Sequence, residues 1–139
     1  MKQRIISLFL IIIVALVAGC GGQPAAAPPN AELDLTTLSE NVDAQTVNQL
    51  RERADVLLID VREPWEYNEA HIPGVTLIPM GEIPNRLSEI PQDKTVIVSC
   101  RSGNRSSQVV EFLQGQGFTN VHNLSGGILA WQGAGLPVE

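Results

Sequence analysis

The chain is short of cysteine, of histidine and of positive charge, and each shortage closes off a class of chemistry. Its two cysteines, Cys20 and Cys100, lie too far apart to form a CxxC pair, which excludes the dithiol exchange of that motif. Its two histidines, His71 and His122, are not spaced with one another or with other ligands as a metal site requires. Nine Lys and Arg against fifteen Asp and Glu leave a formal charge of -6. So acidic a surface repels a polyanion, and no nucleic acid is expected as a partner. There is no internal repeat and no apolar run long enough to span a bilayer. The longest, Ile5 to Ala18, makes ~21 Å of helix at roughly 1.5 Å per residue, against ~30 Å of hydrocarbon.

That run has a different use. Lys2 and Arg4 lead it and small residues follow it, which is the order of a secretory signal. The segment "VAGC" resembles the lipobox of bacterial lipoproteins, with Val17 where leucine is usual. The resemblance implies a signal peptide over residues 1–19 and a mature chain that starts at a lipid-modified Cys20. An uncleaved anchor ending near Cys20 is the alternative. Residues 20–32, "CGGQPAAAPPNAE", have no apolar periodicity and read as a Gly/Pro/Ala tether, leaving residues 33–139 for one compact domain. Cleavage removes Lys2 and Arg4 and takes the charge from -6 to -8 (7 basic against 15 acidic residues). The expected location is the bacterial cell envelope, with the protein lipid-anchored at an extracytoplasmic face. Gly21 and Gly22, in place of an inner-membrane retention aspartate, favour an outer membrane where there are two.

Within the domain short β-branched runs alternate with helical patterns. Val56–Asp60, Val75–Pro79, Thr95–Ser99 and Thr119–Leu124 read as strands buried on both faces, with a shorter one near Asn41 and Val42. Helices are expected over Ala44–Arg53 with Asp43 as N-cap, Pro64–Glu69, Arg105–Gln114 and Ile128–Gln132. The alternation specifies an α/β fold with a mainly parallel central sheet and helices on both faces. Sites in such folds gather at the carboxyl ends of the strands.

Cys100 stands at such an end, between "TVIVS" and a helix carrying Val109, Val110, Phe112 and Leu113. A strand turning into a helix directs successive N–H groups into the turn, making an anion nest at the helix's positive end. Gly103 lets the backbone curl, and Arg101 and Arg105 add two positive charges. A thiol there loses its proton below the ~8.5 of free cysteine. The competing reading makes Cys100 an inert, small core residue.

Three stretches carry a specific resemblance. "CRSGNRS" looks like the active-site loop of rhodanese domains, "LLIDVREPWEYNEAHIPGV" like their upstream signature, and "NLSGGILAWQGAGLPV" like their closing segment, with Gly126, Gly127 and Trp131 in place. Ala70 stands where the family commonly has glycine. The resemblance implies a rhodanese-like fold and sulfur transfer: Cys100 takes the outer sulfur of a donor such as thiosulfate, holds it as a persulfide and passes it to cyanide or a thiol. Arg101, Ser102, Gly103, Asn104, Arg105 and Ser106 would form the cradle for substrate and persulfide. Asp60 and Arg62 would hold the loop, or Arg62 would make only a surface ion pair. No metal or organic cofactor is needed. Once Cys20 is lipidated no second thiol remains, so an external reductant, acceptor protein or small thiol must discharge the persulfide.

Two other classes compete. Tyrosine-phosphatase-type loops and arsenate reductases also cradle a thiolate at a strand-to-helix turn, but the phosphatase loop has five residues between cysteine and arginine. Here four separate Cys100 from Arg105, which suits sulfur better than a tetrahedral oxyanion. A non-catalytic rhodanese-like binding or redox-carrier module is the third class; inactive members often lack the cysteine, and this chain keeps it. His71 reads either as a general base or, in "AHIPG", as a residue fixing a turn, and His122 as structural. Trp65 and Tyr67 read as core or pocket wall, and Trp131 as packing on the sheet.

Because one residue carries the attachment, Cys20→Ser is expected to release the protein from the membrane fraction or block its processing while the domain stays folded and active. Fractionation with a detergent wash checks this; a processed variant that still needs detergent would overturn the lipoprotein assignment.

Overall fold

The computed structural model describes residues 33–139; the expected signal peptide and tether lie outside the described residues. Five strands form one parallel sheet: β1 (Asn41–Val42), β2 (Val56–Asp60), β3 (Thr76–Leu77), β4 (Thr95–Ser99) and β5 (Val121–Leu124), in the order β1-β5-β4-β2-β3. Four helices accompany them: α1 (Ala44–Leu50), α2 (Pro64–Glu69), α3 (Asn104–Gly115) and α4 (Gly127–Gly133). No helix among the described residues is long and apolar enough to cross a membrane.

The central strands have no polar face to offer water, because alternate side chains enter two separate apolar layers. Ile59, Val96 and Val98 pack with Val109, Val110 and Leu113 of α3 on one side. Leu58 and Ile97 pack with Val47 and Leu50 of α1 and Ile128 and Trp131 of α4 on the other. Register pairs Leu58 with Ile97, Ile59 with Val98 and Asp60 with Ser99, so β2 and β4 end level. From that shared end the chain leaves β4 into α3, on the first face, and leaves β2 into α2, whose Tyr67 packs on the second. Divergence of two adjacent parallel strands opens a crevice at their carboxyl ends.

The expected elements are present, with shifted limits. The run Val75–Pro79 is reduced to Thr76–Leu77, because Pro79 has no N–H to donate and the chain turns into a 3-10 helix over Met80–Asn85. The helix after Asp43 stops at Leu50, three residues early, where Arg53 N–H closes a tighter turn on the Leu50 carbonyl at 3.0 Å. Thr119 and Asn120 stay outside β5, and the Asn120 amide instead bonds the Pro91 carbonyl at 2.8 Å. Asp43 does cap α1, its carboxylate accepting the Thr46 N–H at 3.0 Å. Asp43→Ala is therefore expected to cost about 1 kcal/mol of unfolding free energy, read from a denaturant titration, with sulfur chemistry unaffected.

Candidate active site

The reactive end of the sheet is assembled from three strand termini. β4 delivers Cys100, β2 delivers Asp60 and Arg62, and β5 leads into Gly126, Gly127 and α4. Cys100 is almost fully buried, and Gly103, at φ +92°, lets the chain double back into α3. The thiol then lies inside the turn: its Sγ accepts from the Gly103 N–H at 3.1 Å and from the Ser106 hydroxyl at 3.3 Å. Burial pushes the thiol pKa up, but the Ser106 hydroxyl and the amides of Ser106, Ser102 and Gly103 outweigh it, so the pKa falls below that of an ordinary thiol. Neutral donors, rather than the two arginines, hold the thiolate.

The backbone of the loop is pinned from the opposite side by α4. Ile128 N–H donates to the Cys100 carbonyl at 2.8 Å and Leu129 N–H to the Arg101 carbonyl at 3.1 Å. Gly127, at φ +55°, makes this approach feasible. A Cβ there would strike the Cys100 carbonyl oxygen and come within 2.7 Å of the Arg101 carbonyl carbon.

The charged residues are placed differently from expectation. Arg62 is no surface residue: it is 4% exposed and grips both carboxylate oxygens of Asp60, at 2.7 to 3.0 Å. Its remaining N–H groups reach the carbonyls of Glu66 (3.2 Å) and Ala70 (2.8 Å), so it braces α2 and not the loop directly. The Arg105 guanidinium does not stand open to an anionic donor, as the sequence suggested. Both of its terminal nitrogens bond the Glu66 carboxylate at 2.7 Å. Asp60, Arg62, Glu66 and Arg105 thus form a chain of alternating charge from β2 through α2 to the loop. Glu66 is the residue that sequence reasoning missed; its partner lies 39 positions away, and no local pattern marks it. Arg101, Ser102 and Asn104 are solvent-exposed, while Ser106 is fully buried.

His71 fixes a turn, as its setting suggested. Its Nδ1 bonds the Tyr67 carbonyl at 3.0 Å, its ring stacks on Tyr67 at 3.8 Å, and its backbone exchanges two hydrogen bonds with Glu139. His122 lies in β5 and its Nδ1 meets the Ser39 carbonyl at 2.8 Å. Trp131 is buried in the second apolar layer, with its indole N–H on the Pro137 carbonyl. Trp65, in contrast, is exposed and walls a cleft of about 350 Å³ between α2 and α4, together with Glu66, Arg101, Ile128 and Leu129.

A strand-to-helix turn with a buried, amide-held cysteine is one match to known proteins; the whole chain supplies the rest. Residues 43–134 match the model of the rhodanese-like domain, well over half the chain. The chain belongs to the rhodanese-like family. A sulfurtransferase of Allochromatium vinosum is 46% identical over 98 residues, covering 70% of this chain and 92% of that protein. Among solved structures, a rhodanese-related protein of Thermoplasma volcanium superposes with a TM-score of 0.67 at 32% identity, covering 73% of this chain and 98% of the other. A rhodanese-like domain protein of Staphylococcus aureus does so with a TM-score of 0.61 at 33% identity, covering 67% and 91%. The rhodanese-like fold expected from the three motifs is therefore the fold of this chain.

Two variants test this reading of the site. Gly127→Ala is expected to destabilise the protein by about 3 kcal/mol and to slow Cys100 alkylation, since the loop must shift; normal stability and reactivity would show that the α4 contact does not shape the loop. Glu66 is held at about 2, below the ordinary 4.5, chiefly by its bonds from Arg105, with burial opposing and the Glu63 amide and Arg62 assisting. A carboxyl depressed in the folded state stabilises it above the unfolded value and loses that contribution as the pH falls from about 4.5 towards about 2. Glu66→Gln is accordingly expected to cost roughly 2 kcal/mol at neutral pH, Arg105 being partly exposed. Chemical denaturation across pH should show the two proteins converging through that window.

Proposed function

We propose that this domain is a sulfurtransferase that carries sulfane sulfur on Cys100, from a donor such as thiosulfate to a thiol or cyanide. The observation that carries the reading is the sulfur atom of Cys100 lying inside a turn that directs backbone N–H groups and the Ser106 hydroxyl at it. The same donors that hold a thiolate can hold the outer, charged sulfur of a persulfide, and neither state requires a side-chain base. In the first half-reaction the Cys100 thiolate attacks the outer sulfur of thiosulfate. The new S–S bond forms as the S–S bond of thiosulfate breaks, and sulfite leaves with the electron pair, so charge and atoms balance as Cys–S⁻ plus S–SO₃²⁻ gives Cys–S–S⁻ plus SO₃²⁻. In the second, a thiolate or cyanide takes the outer sulfur and returns Cys100 to its thiolate.

Family membership and the sulfurtransferase name of the Allochromatium vinosum relative support the class of reaction. The cell-envelope setting is part of the same proposal and rests on the basic, apolar and "VAGC" order of residues 1–20. Cys100 is the one free thiol among the described residues, so the second half-reaction needs an acceptor from outside the domain.

Incubation with thiosulfate is expected to add the mass of one sulfur atom at Cys100, removable by cyanide or a small thiol, and Cys100→Ser is expected to abolish it. Intact-mass spectrometry checks both. A folded wild type that never gains sulfur but hydrolyses an aryl phosphate would replace this reading with a phosphatase, and one inert to both tests would favour a binding module.

A further inference from the structure

The site holds three arginines but presents one. Arg62 is spent on Asp60 and two carbonyls, and Arg105 on Glu66. Arg101 is the one arginine whose guanidinium has no hydrogen bond or ion pair among the described residues. With the Cys100 thiolate counted, three cations (Arg62, Arg101, Arg105) face three anions (Asp60, Glu66, Cys100), so the site offers no net charge to a dianion, and the chain around it carries -6. What it does offer is apolar surface beside the loop. Trp65 is 63% exposed and Leu129 48% exposed, and they face the same cleft as Arg101. At about 350 Å³ that cleft falls in the lower part of the range for small organic ligands. Thiosulfate, a five-atom dianion, would leave it empty.

We propose that the preferred sulfur donor is a low-molecular-weight organic persulfide, R–S–SH, whose apolar or aromatic R group lies against Trp65 and Leu129 in the cleft between α2 and α4. The proposal rests on the sulfurtransferase reading and refines its donor. The Cys100 thiolate attacks the outer sulfur, the R–S bond to that sulfur breaks, and R–S⁻ leaves with the electron pair. Cys–S⁻ plus R–S–SH gives Cys–S–SH plus R–S⁻, with the proton staying on the transferred sulfur and no external oxidant or reductant involved. The step starts from a donor carrying less charge than thiosulfate, which suits a site without a spare cation beyond Arg101. Glu66 acts as a specificity-determining positioning residue: by occupying Arg105 it withholds the second cation that a dianion would use.

The test compares kcat/KM for benzyl persulfide and for thiosulfate, each divided by the rate of the same donor with the thiolate of N-acetylcysteine in solution. The corrected ratio in the wild type is expected to favour benzyl persulfide at least about tenfold, and Trp65→Ala is expected to reduce that preference by about tenfold, the value of one aromatic contact. Glu66→Gln is expected to reduce it as well, through a lower KM for thiosulfate at unchanged kcat, as Arg105 becomes free. Trp65 is solvent-exposed, so its variant decides the matter even where Glu66→Gln folds poorly. A corrected ratio near one in the wild type, or one that Trp65→Ala leaves unchanged, would overturn the donor assignment. Failure of both donors to load Cys100 would instead overturn the sulfurtransferase reading itself.

Discussion

The geometry of the site depends on a contact between backbones, the approach of Gly127 and the first turn of α4 to Cys100 and Arg101. Each peptide plane points its C=O and N–H in opposite directions. When the carbonyls of Cys100 and Arg101 turn towards the amides of Ile128 and Leu129, the N–H of the following residue in each plane must turn away from α4. For Ser102 that direction leads to the thiol sulfur, whose pKa its amide helps to lower. Satisfying the polar groups of α4's first turn and polarising the cysteine are therefore one arrangement seen from two sides. The positive φ of Gly103 completes it by swinging the next amide inward.

Charge enters as a brace. The pairs Asp60–Arg62 and Glu66–Arg105 are largely withdrawn from water, and a buried pair gains little net free energy because desolvation offsets attraction. Their effect is on position. Arg62 ties the end of β2 to the carbonyls of α2, and α2 presents Glu66 to the loop, so the helix cannot drift without unpairing a charge. The Cys100 thiolate adds a further negative charge that Arg105 feels, which couples the brace to the protonation state of the nucleophile.

Much of this was legible in the chain before its structure. The β-branched runs around Leu58, Ile97 and Val121 could only be strands buried on both faces, and Cys100 followed one of them into a helical pattern carrying Gly103 near its start. Asp43 and Pro64 announced the starts of α1 and α2 through local chemistry, a side-chain acceptor and a fixed φ. The errors share a cause. Arg105 was assigned to the donor and Arg62 was held open as a surface pair because a charge's partner is set by packing between elements, which periodicity does not encode. Residues 36 to 37 and 80 to 89 form 3-10 turns with no repeating apolar spacing, so nothing in their pattern distinguished them from loop. Gly127 did leave a trace, a paired glycine ahead of an apolar helix, but its meaning was tertiary: it makes room for another segment's carbonyl.

A nucleophile activated mainly by main-chain amides has an evolutionary consequence. Every residue except proline supplies the same N–H, so the identities of Ser102 and Asn104, whose side chains are exposed, are free to drift without disturbing the thiolate. The burden of invariance falls on residues that look inert: two glycines, a buried serine and the helix that faces them. Divergence in this lineage can thus re-tailor the rim of the site to new donors and acceptors while the chemistry at its centre is inherited intact.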